Sequence, residues 1–174
     1  MTFPIISDSH GYGRRIVSIV DRLAAINERP DGIIFLGDGA REVIMNTPED
    51  IRLYSALGNC DGICDIYDNS GEIVPLERLE VICGVRILMM HGHRYFVKHG
   101  LSEAIFRANN LSADILLFGH THLPVYKMMR AGEEISGEPL KKDLHIFNPG
   151  ALADKSFGLL TVKDGKILLS HGKI

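Results

Sequence analysis

The stretch ADILLFGHTHLP, residues 113–124, decides how this chain is read. A short buried strand runs into a glycine and then a polar loop bearing His120 and His122. The same pattern recurs five more times. PIIS runs into Asp8-Ser9-His10, IIFLG into Asp38, and LYSALG into Asn59-Cys60-Asp61. RILMM runs into His91-Gly92-His93, and DLHIF into Asn148-Pro149-Gly150. In open α/β sheets, ligands bind beyond the carboxyl ends of the strands. If these strands share one sheet edge, or sit on facing edges, the polar residues converge in one pocket.

The segments between these runs support that layout. GRRIVSIVDRLAAINE, residues 13–28, has apolar residues at a helical period: Ile16, Ile19, Val20, Leu23 and Ile26. PDGIIFLGD follows as a turn and a buried strand, a short helix starts near Arg41, and IRLYSALG, residues 51–58, reads as a strand. This β-α-β-α-β order predicts a layered α/β sheet. Beyond it, residues 72–92 read as two strands joined at Gly84, a hairpin that offers a free edge for self-association. LSEAIFRANN reads as a helix, and the C-terminal part is strand-rich, with a hairpin turning at Asp164-Gly165. Residues 130–142 are polar and read as an exposed hairpin loop. The whole predicts an α/β fold, two sheets packed together and flanked by helices, in one domain spanning residues 1–174.

Composition excludes several function classes. Net charge is −3 and the charged fraction 24%. That balance argues against long nucleic acid or an anionic membrane as a partner. No apolar run approaches the ~20 residues of a membrane helix. The start, MTFPIISDSHG, lacks the basic and apolar regions of a signal peptide, so a cytoplasmic location is expected. Three cysteines cannot all pair, which fits a reducing compartment.

Asp8, His10, Asp38, Asn59, His91, His120 and His122 offer carboxylate, amide and imidazole donors. Mn, Fe or Zn suit that mixture. Seven donors exceed the needs of one ion but suit two sharing a carboxylate. Two ions ~3.5–4 Å apart are a recurrent device for phosphoryl transfer. Two dications against two carboxylates also leave about two positive charges, which favours an anionic phosphoester. Each element alone has a bland reading. Asp8-Ser9-His10 is a loop or cap, Gly37-Asp38 a turn, Asn59 a turn residue, and His91 or His93 an ordinary histidine. Five such sites after five strands are hard to reach by chance.

Taken in order, D-x-H, GD, GN-x-D, HGH and GHTH resemble the calcineurin-like metallophosphoesterase superfamily. The short length and the closing FNPGA are similar to its small YfcE-like phosphodiesterase branch. The resemblance implies a four-layer α/β/β/α sandwich with two mixed β-sheets. It also implies a phosphodiesterase that cleaves small phosphoesters through a metal-bridging hydroxide. Asp8, His10 and His122 would hold one divalent ion, Asn59, His91 and His120 the other, and Asp38 would bridge. Manganese is the implied ion, with Fe, Zn, Ni and Mg as alternatives. Asp38, Asn59, Cys60 and His93 form the implied catalytic group, with His93 in contact with phosphate or behind a ligand.

Two positions depart from the superfamily pattern. Cys60 stands where histidine is common, although the YfcE-like branch is similar in carrying cysteine. Ala151 stands where Ser or Thr is usual. A thiol, with an unperturbed pKa near ~8.5, is a weaker acid catalyst than an imidazolium. Acid help contributes about 10²–10⁴-fold to a poor leaving group. The expected substrates are therefore diesters whose leaving groups depart unaided. Cys60 is not needed as a nucleophile where a metal hydroxide serves. Cys64 is expected to be an inert loop or core residue, and Asp61 to orient its neighbours or cap the loop.

Three other functions are weighed. A retromer subunit resembles this fold used as a protein-interaction scaffold with a degraded metal site, whereas every ligand position here is filled. HTHLP superficially resembles the H-x-H opening of metallo-β-lactamase-like enzymes, but Leu123-Pro124 replace their Asp-His pair. A nuclease for long duplexes lacks its basic stripe, which leaves short or cyclic nucleotides open.

Overall fold

The computed structural model describes residues 1–62, 67 and 71–174. Two five-stranded mixed sheets stand face to face. In the first, β1 (Thr2–Ile6), β2 (Ile33–Phe35) and β3 (Leu53–Ser55) run parallel. Its antiparallel side is β11 (Ser156–Lys163) and β12 (Lys166–Lys173), in the order β12-β11-β1-β2-β3. The second sheet has the order β4-β5-β6-β10-β7. Here β5 (Val85–Met90), β6 (Ile115–Phe118) and β10 (Leu144–Pro149) are parallel. The antiparallel edges are β4 (Glu77–Ile82) and β7 (Pro124–Met129).

Apolar side chains on both faces of the central strands explain their continuous apolar runs. Phe3, Ile5, Ile34 and Leu36 point inward and meet Ile87, Met89, Ile115 and Leu117 of the other sheet. Their chain neighbours Ile6, Ile33 and Phe35 point outward, onto α1 (Arg15–Ala25) and α2 (Ala40–Asn46). Leu88, Met90, Leu116 and Phe118 do the same on the other side, against α3 (Ser102–Asn110). The period-2 pleat thus makes four layers, helix, sheet, sheet and helix, as the resemblance implies. No described helix is long and apolar enough to cross a membrane.

Several element ends differ from expectation. Residues 51–58 give only Leu53–Ser55 as strand. Ala56 N–H still bonds Phe35 O at 3.0 Å, but Leu57 N–H turns to Pro75 O at 2.9 Å and leaves the ladder. The first helix is Arg15–Ala25 rather than residues 13–28. Gly13 N–H is bound to the Glu42 carboxylate at 3.0 Å, and Asn27 enters the left-handed region at φ +59°. Within residues 130–142 lies a small hairpin of β8 (Glu134–Ile135) and β9 (Glu138–Pro139). It is the exposed hairpin expected there, and it is also anchored at its base. Leu140 is buried in the α3 layer, and Asn109 bonds both Pro139 O and Lys141 N–H. β4 is a sheet edge, as its hairpin suggests. The expectation for Cys64 lies outside the described residues.

One polar tie joins β4 to its helical layer. Glu77 accepts hydrogen bonds from Arg107 and the Tyr95 hydroxyl. Burial opposes ionisation of Glu77, but those two donors outweigh it and hold its pKa below the usual carboxylate value. A depressed native pKa contributes stability above the unfolded pKa of about 4.3 and loses it as pH falls through the native value. Glu77→Gln is therefore expected to cost about 0.5–1 kcal/mol near neutral pH. Urea unfolding at a series of pH values should show the gap to wild type closing below about pH 4.

Candidate metal centre

Three parallel strands from each sheet end at the same rim. Five of the residues they deliver have backbones in the left-handed region: Asp8 (φ +53°), His10 (+40°), Asp38 (+64°), His120 (+65°) and His122 (+60°). For a residue with a Cβ that conformation is sparsely populated, and it persists where surrounding bonds fix it. Those bonds are present. Asp8 N–H donates to Gly37 O at 2.9 Å, and Ser9 N–H to Asp38 O at 2.8 Å. His120 N–H donates to Asp8 Oδ2 at 3.1 Å.

The donors fall into overlapping groups whose ligand atoms lie within 4.8 Å of one another: Asp8, His10 and His122; Asp38, His91 and His120; and His10, Asp38 and Cys60. Asp8 is fully buried. Its Oδ2 accepts from Ser7 Oγ at 2.6 Å, while Oδ1 is buried without a hydrogen-bond donor. An orphaned carboxylate oxygen is costly, and a cation would compensate it. His122 Nε2 lies 3.1 Å from that oxygen. Asp38 Oδ1 accepts the Cys60 N–H at 2.8 Å, which leaves Oδ2 facing His91 Nε2 at 3.3 Å and His10 Nε2 at 3.9 Å. His91 Nδ1 is 2.7 Å from Leu36 O. A carbonyl only accepts, so Nδ1 carries the proton and Nε2 faces the cluster, the usual way a ligating histidine is oriented. Carboxylate and imidazole donors in this arrangement fit divalent cations.

Electrostatics keep Asp38 ionised but treat His91 and His120 in opposite ways. Burial works against ionisation of Asp38, but His91 and the Cys60 N–H outweigh it and hold the carboxyl well below its usual range. Burial also opposes protonation of His91, yet hydrogen bonding to Asp38 and the charge of Asp8 raise its pKa. Burial, the His91 charge and the Lys98 charge push His120 down to about 4, so its imidazole is neutral and ready to ligate. The Cys60 thiol is pushed up by burial, then by Asp38.

Asn59 and Cys60 are exposed at the mouth, with Asn59 Nδ2 3.3 Å from Cys60 Sγ. The His93 ring lies 5.5 Å from that of His91 and 6.2 Å from that of His120. Ala151 is buried, and its carbonyl accepts from Asp154 and Ser156 N–H groups. Asn148 is buried behind the site, donating to Gly119 O at 2.9 Å and Thr121 Oγ1 at 3.1 Å.

Several supporting residues escape sequence reading. Glu42 accepts from Ser9 Oγ at 2.5 Å and from Gly11 and Gly13 N–H, fastening the β1 loop to α2. Its place in the first turn of a helix was the only available signal. Asp61 accepts four backbone N–H groups, from Asp38, Gly39, Ala40 and Gly58, at 2.7–2.9 Å. This bears out its expected capping part, and it also joins two loops. A Cβ on Gly58 would overlap Asp38 Oδ1, and one on Gly119 would overlap Ser7 Oγ.

Comparisons with known proteins agree with this geometry. The profile described as the calcineurin-like phosphoesterase superfamily domain matches residues 1–173. A probable metallophosphoesterase of Bacillus subtilis, YsnB, is 31% identical over 170 residues, covering 94% of this chain and 86% of that one. Vacuolar protein sorting 29 from Cryptosporidium parvum shares the fold with a TM-score of 0.68 at 18% identity, covering 99% of this chain and 97% of that one. YfcE, a phosphoesterase from E. coli, does so with a TM-score of 0.59 at 21% identity and full coverage of both chains.

Because Gly58 leaves room for the Asp38 carboxylate, Gly58→Ala is expected to weaken divalent-metal binding by about 10–100-fold. Calorimetric titration with Mn²⁺ measures this, with far-UV circular dichroism to show a retained fold. A Gly58→Ala protein that binds Mn²⁺ like wild type would contradict the packing argument.

Proposed function

The chain belongs to the calcineurin-like phosphoesterase superfamily, and from that premise we propose that it hydrolyses small phosphodiesters with good leaving groups at a dinuclear metal centre. The observation that carries this reading is the buried Asp8 Oδ1, which lacks a hydrogen-bond donor and lies inside overlapping carboxylate–imidazole clusters. Asp8, His10 and His122 would hold one divalent ion, and Asn59, His91 and His120 the other. Asp38 would serve both, since its Oδ2 lies toward histidines of each set. Bound there, divalent ions supply Lewis acidity toward phosphoryl oxygens and a water of lowered pKa.

The chain's own residues shape what can react. His91 is fixed through Leu36 O, so Nε2 stays aimed at the centre. Cys60 stands at the mouth, its N–H holding Asp38 Oδ1 in place. Its raised thiol pKa keeps the proton on sulfur near neutral pH and makes it a poor donor to a departing alkoxide. Aryl oxides and similar groups need no such help. This favours diesters with acidic alcohols over alkyl monoesters.

A panel of aryl and alkyl diesters and monoesters, assayed with Mn²⁺, tests the reading. Bis(p-nitrophenyl) phosphate should turn over, and Asp38→Asn should lower turnover by at least about 10³-fold. Near-wild-type turnover in that variant would remove the shared-ligand assignment. Metal-loaded but inert protein would instead favour an interaction scaffold.

Cys60→His adds an acid, and is expected to improve alkyl-ester turnover relative to aryl diesters by about 10-fold or more. An unchanged ratio between the two substrate types would sink the acid argument.

A further inference from the structure

We propose that the cavity between the loops after β5 and β6 is a subsite for an apolar arm of the phosphoester, with Lys98 at its mouth drawing in the anionic head. This rests on the phosphoesterase reading above and deepens it by naming the kind of arm that site takes. The cavity has a volume of about 360 Å³, and its lining includes Lys98, Leu101, Thr121, Leu123 and Val125. That volume lies within the range of small-molecule pockets, about 300–1,000 Å³. Thr121 stands between His120 and His122, so the cavity adjoins the metal donors on that side of the rim. Lys98 is near enough for its charge to act on His120. A phosphoryl group held at those donors can therefore place one ester arm in the cavity.

The lining selects the chemistry of that arm. Leu123 is 65% exposed, and Leu101 and Val125 are half-buried, so all three have apolar surface to offer a ligand. Covering that surface removes it from water, which is favourable in proportion to its area. The Thr121 hydroxyl is taken up by Asn148 Nδ2 at 3.1 Å and Leu123 N–H at 3.3 Å. Among these side chains that leaves one polar group, the exposed Lys98 ammonium. No described carboxylate forms an ion pair with it. A sugar arm would give up its hydration in this cavity without finding partners. A cation at the mouth and apolar walls within match a molecule with an anionic head and an uncharged hydrocarbon or aryl arm.

The test is equilibrium binding to the manganese-loaded protein, read by calorimetry. Methylphosphonate and phenylphosphonate serve as probes, since neither has an ester bond to cleave. The phenyl ring should add about 10-fold in affinity. Leu123→Trp, which fills the cavity from an exposed position, should reduce that step to about 2-fold. Leu123→Asp, which puts a charge on the wall, should do the same. Lys98→Met should weaken both probes about 5-fold and leave the ring step in place, and Lys98→Arg should restore most of that loss. Phenylphosphonate binding no tighter than methylphosphonate would overturn the proposal. So would a ring step that survives both substitutions of Leu123, or a Lys98→Met protein that binds both probes like wild type. Failure of the hydrolytic reading appears separately, as loaded protein that leaves bis(p-nitrophenyl) phosphate intact while the ring step persists.

Discussion

One carboxylate fixes the Asp38 side of the rim. Asp61 collects the N–H groups of Asp38, Gly39, Ala40 and Gly58. Two of these donors open α2, where the helix leaves N–H groups unsatisfied and its dipole favours negative charge. The other two belong to the backbone of Asp38 and of the loop after β3. One side chain therefore fixes two strand ends and a helix start relative to each other. Asp38 inherits its position from that arrangement, and its Oδ1 is then pinned by the neighbouring Cys60 N–H. Glycine at 37 and 58 is required by the same closeness, since a Cβ on Gly37 would overlap the Gly58 backbone.

The opposite sheet supplies a second lock of similar logic. Ser7 Oγ and His120 N–H both donate to Asp8 Oδ2, so β1 and β6 meet at one carboxylate oxygen. Asn148 ties the loop of His120 and His122 to β10 through Gly119 O and Thr121 Oγ1. These bonds over-determine a rim in which five metal-competent residues occupy left-handed backbone. Such conformations cost on the order of 1–3 kcal/mol each. They bring carboxylates and imidazoles into overlapping clusters at the rim. The core does not need them, because the sheets pack on apolar faces below the rim.

How much of this was legible follows from what sequence encodes locally. The strand runs and their polar endings are local, and all six runs lie on strands of the two sheets. The face-to-face packing was readable because apolar residues fill both pleat faces, which only a strand buried on both sides explains. Helix and strand ends were misplaced where a distant group intervened, as when Glu42 captures Gly13 N–H or Pro75 O captures Leu57 N–H. Glu42, Ser7 and Asn148 carry no motif of their own. Their importance comes from atoms more than 25 residues away, or, for Ser7, from the burial of the carboxylate beside it.

The rim also explains, in physical terms, why the side chain at residue 60 is open to change. Position 60 contributes its backbone N–H to Asp38, a bond that any residue except proline can make. Its side chain is exposed and meets Asn59 Nδ2 and the Asp38 carboxylate. The fold therefore asks little of the side chain at 60 beyond those two contacts. Asp61 is the reverse case, with a side chain fully committed to backbone. Adjacent residues in one loop thus divide the work, and the same scaffold can hold its donors in place while the side chain at its mouth is exchanged. That separation leaves the side chain at 60 open to change while Asp61 fixes the backbone that carries Asp38.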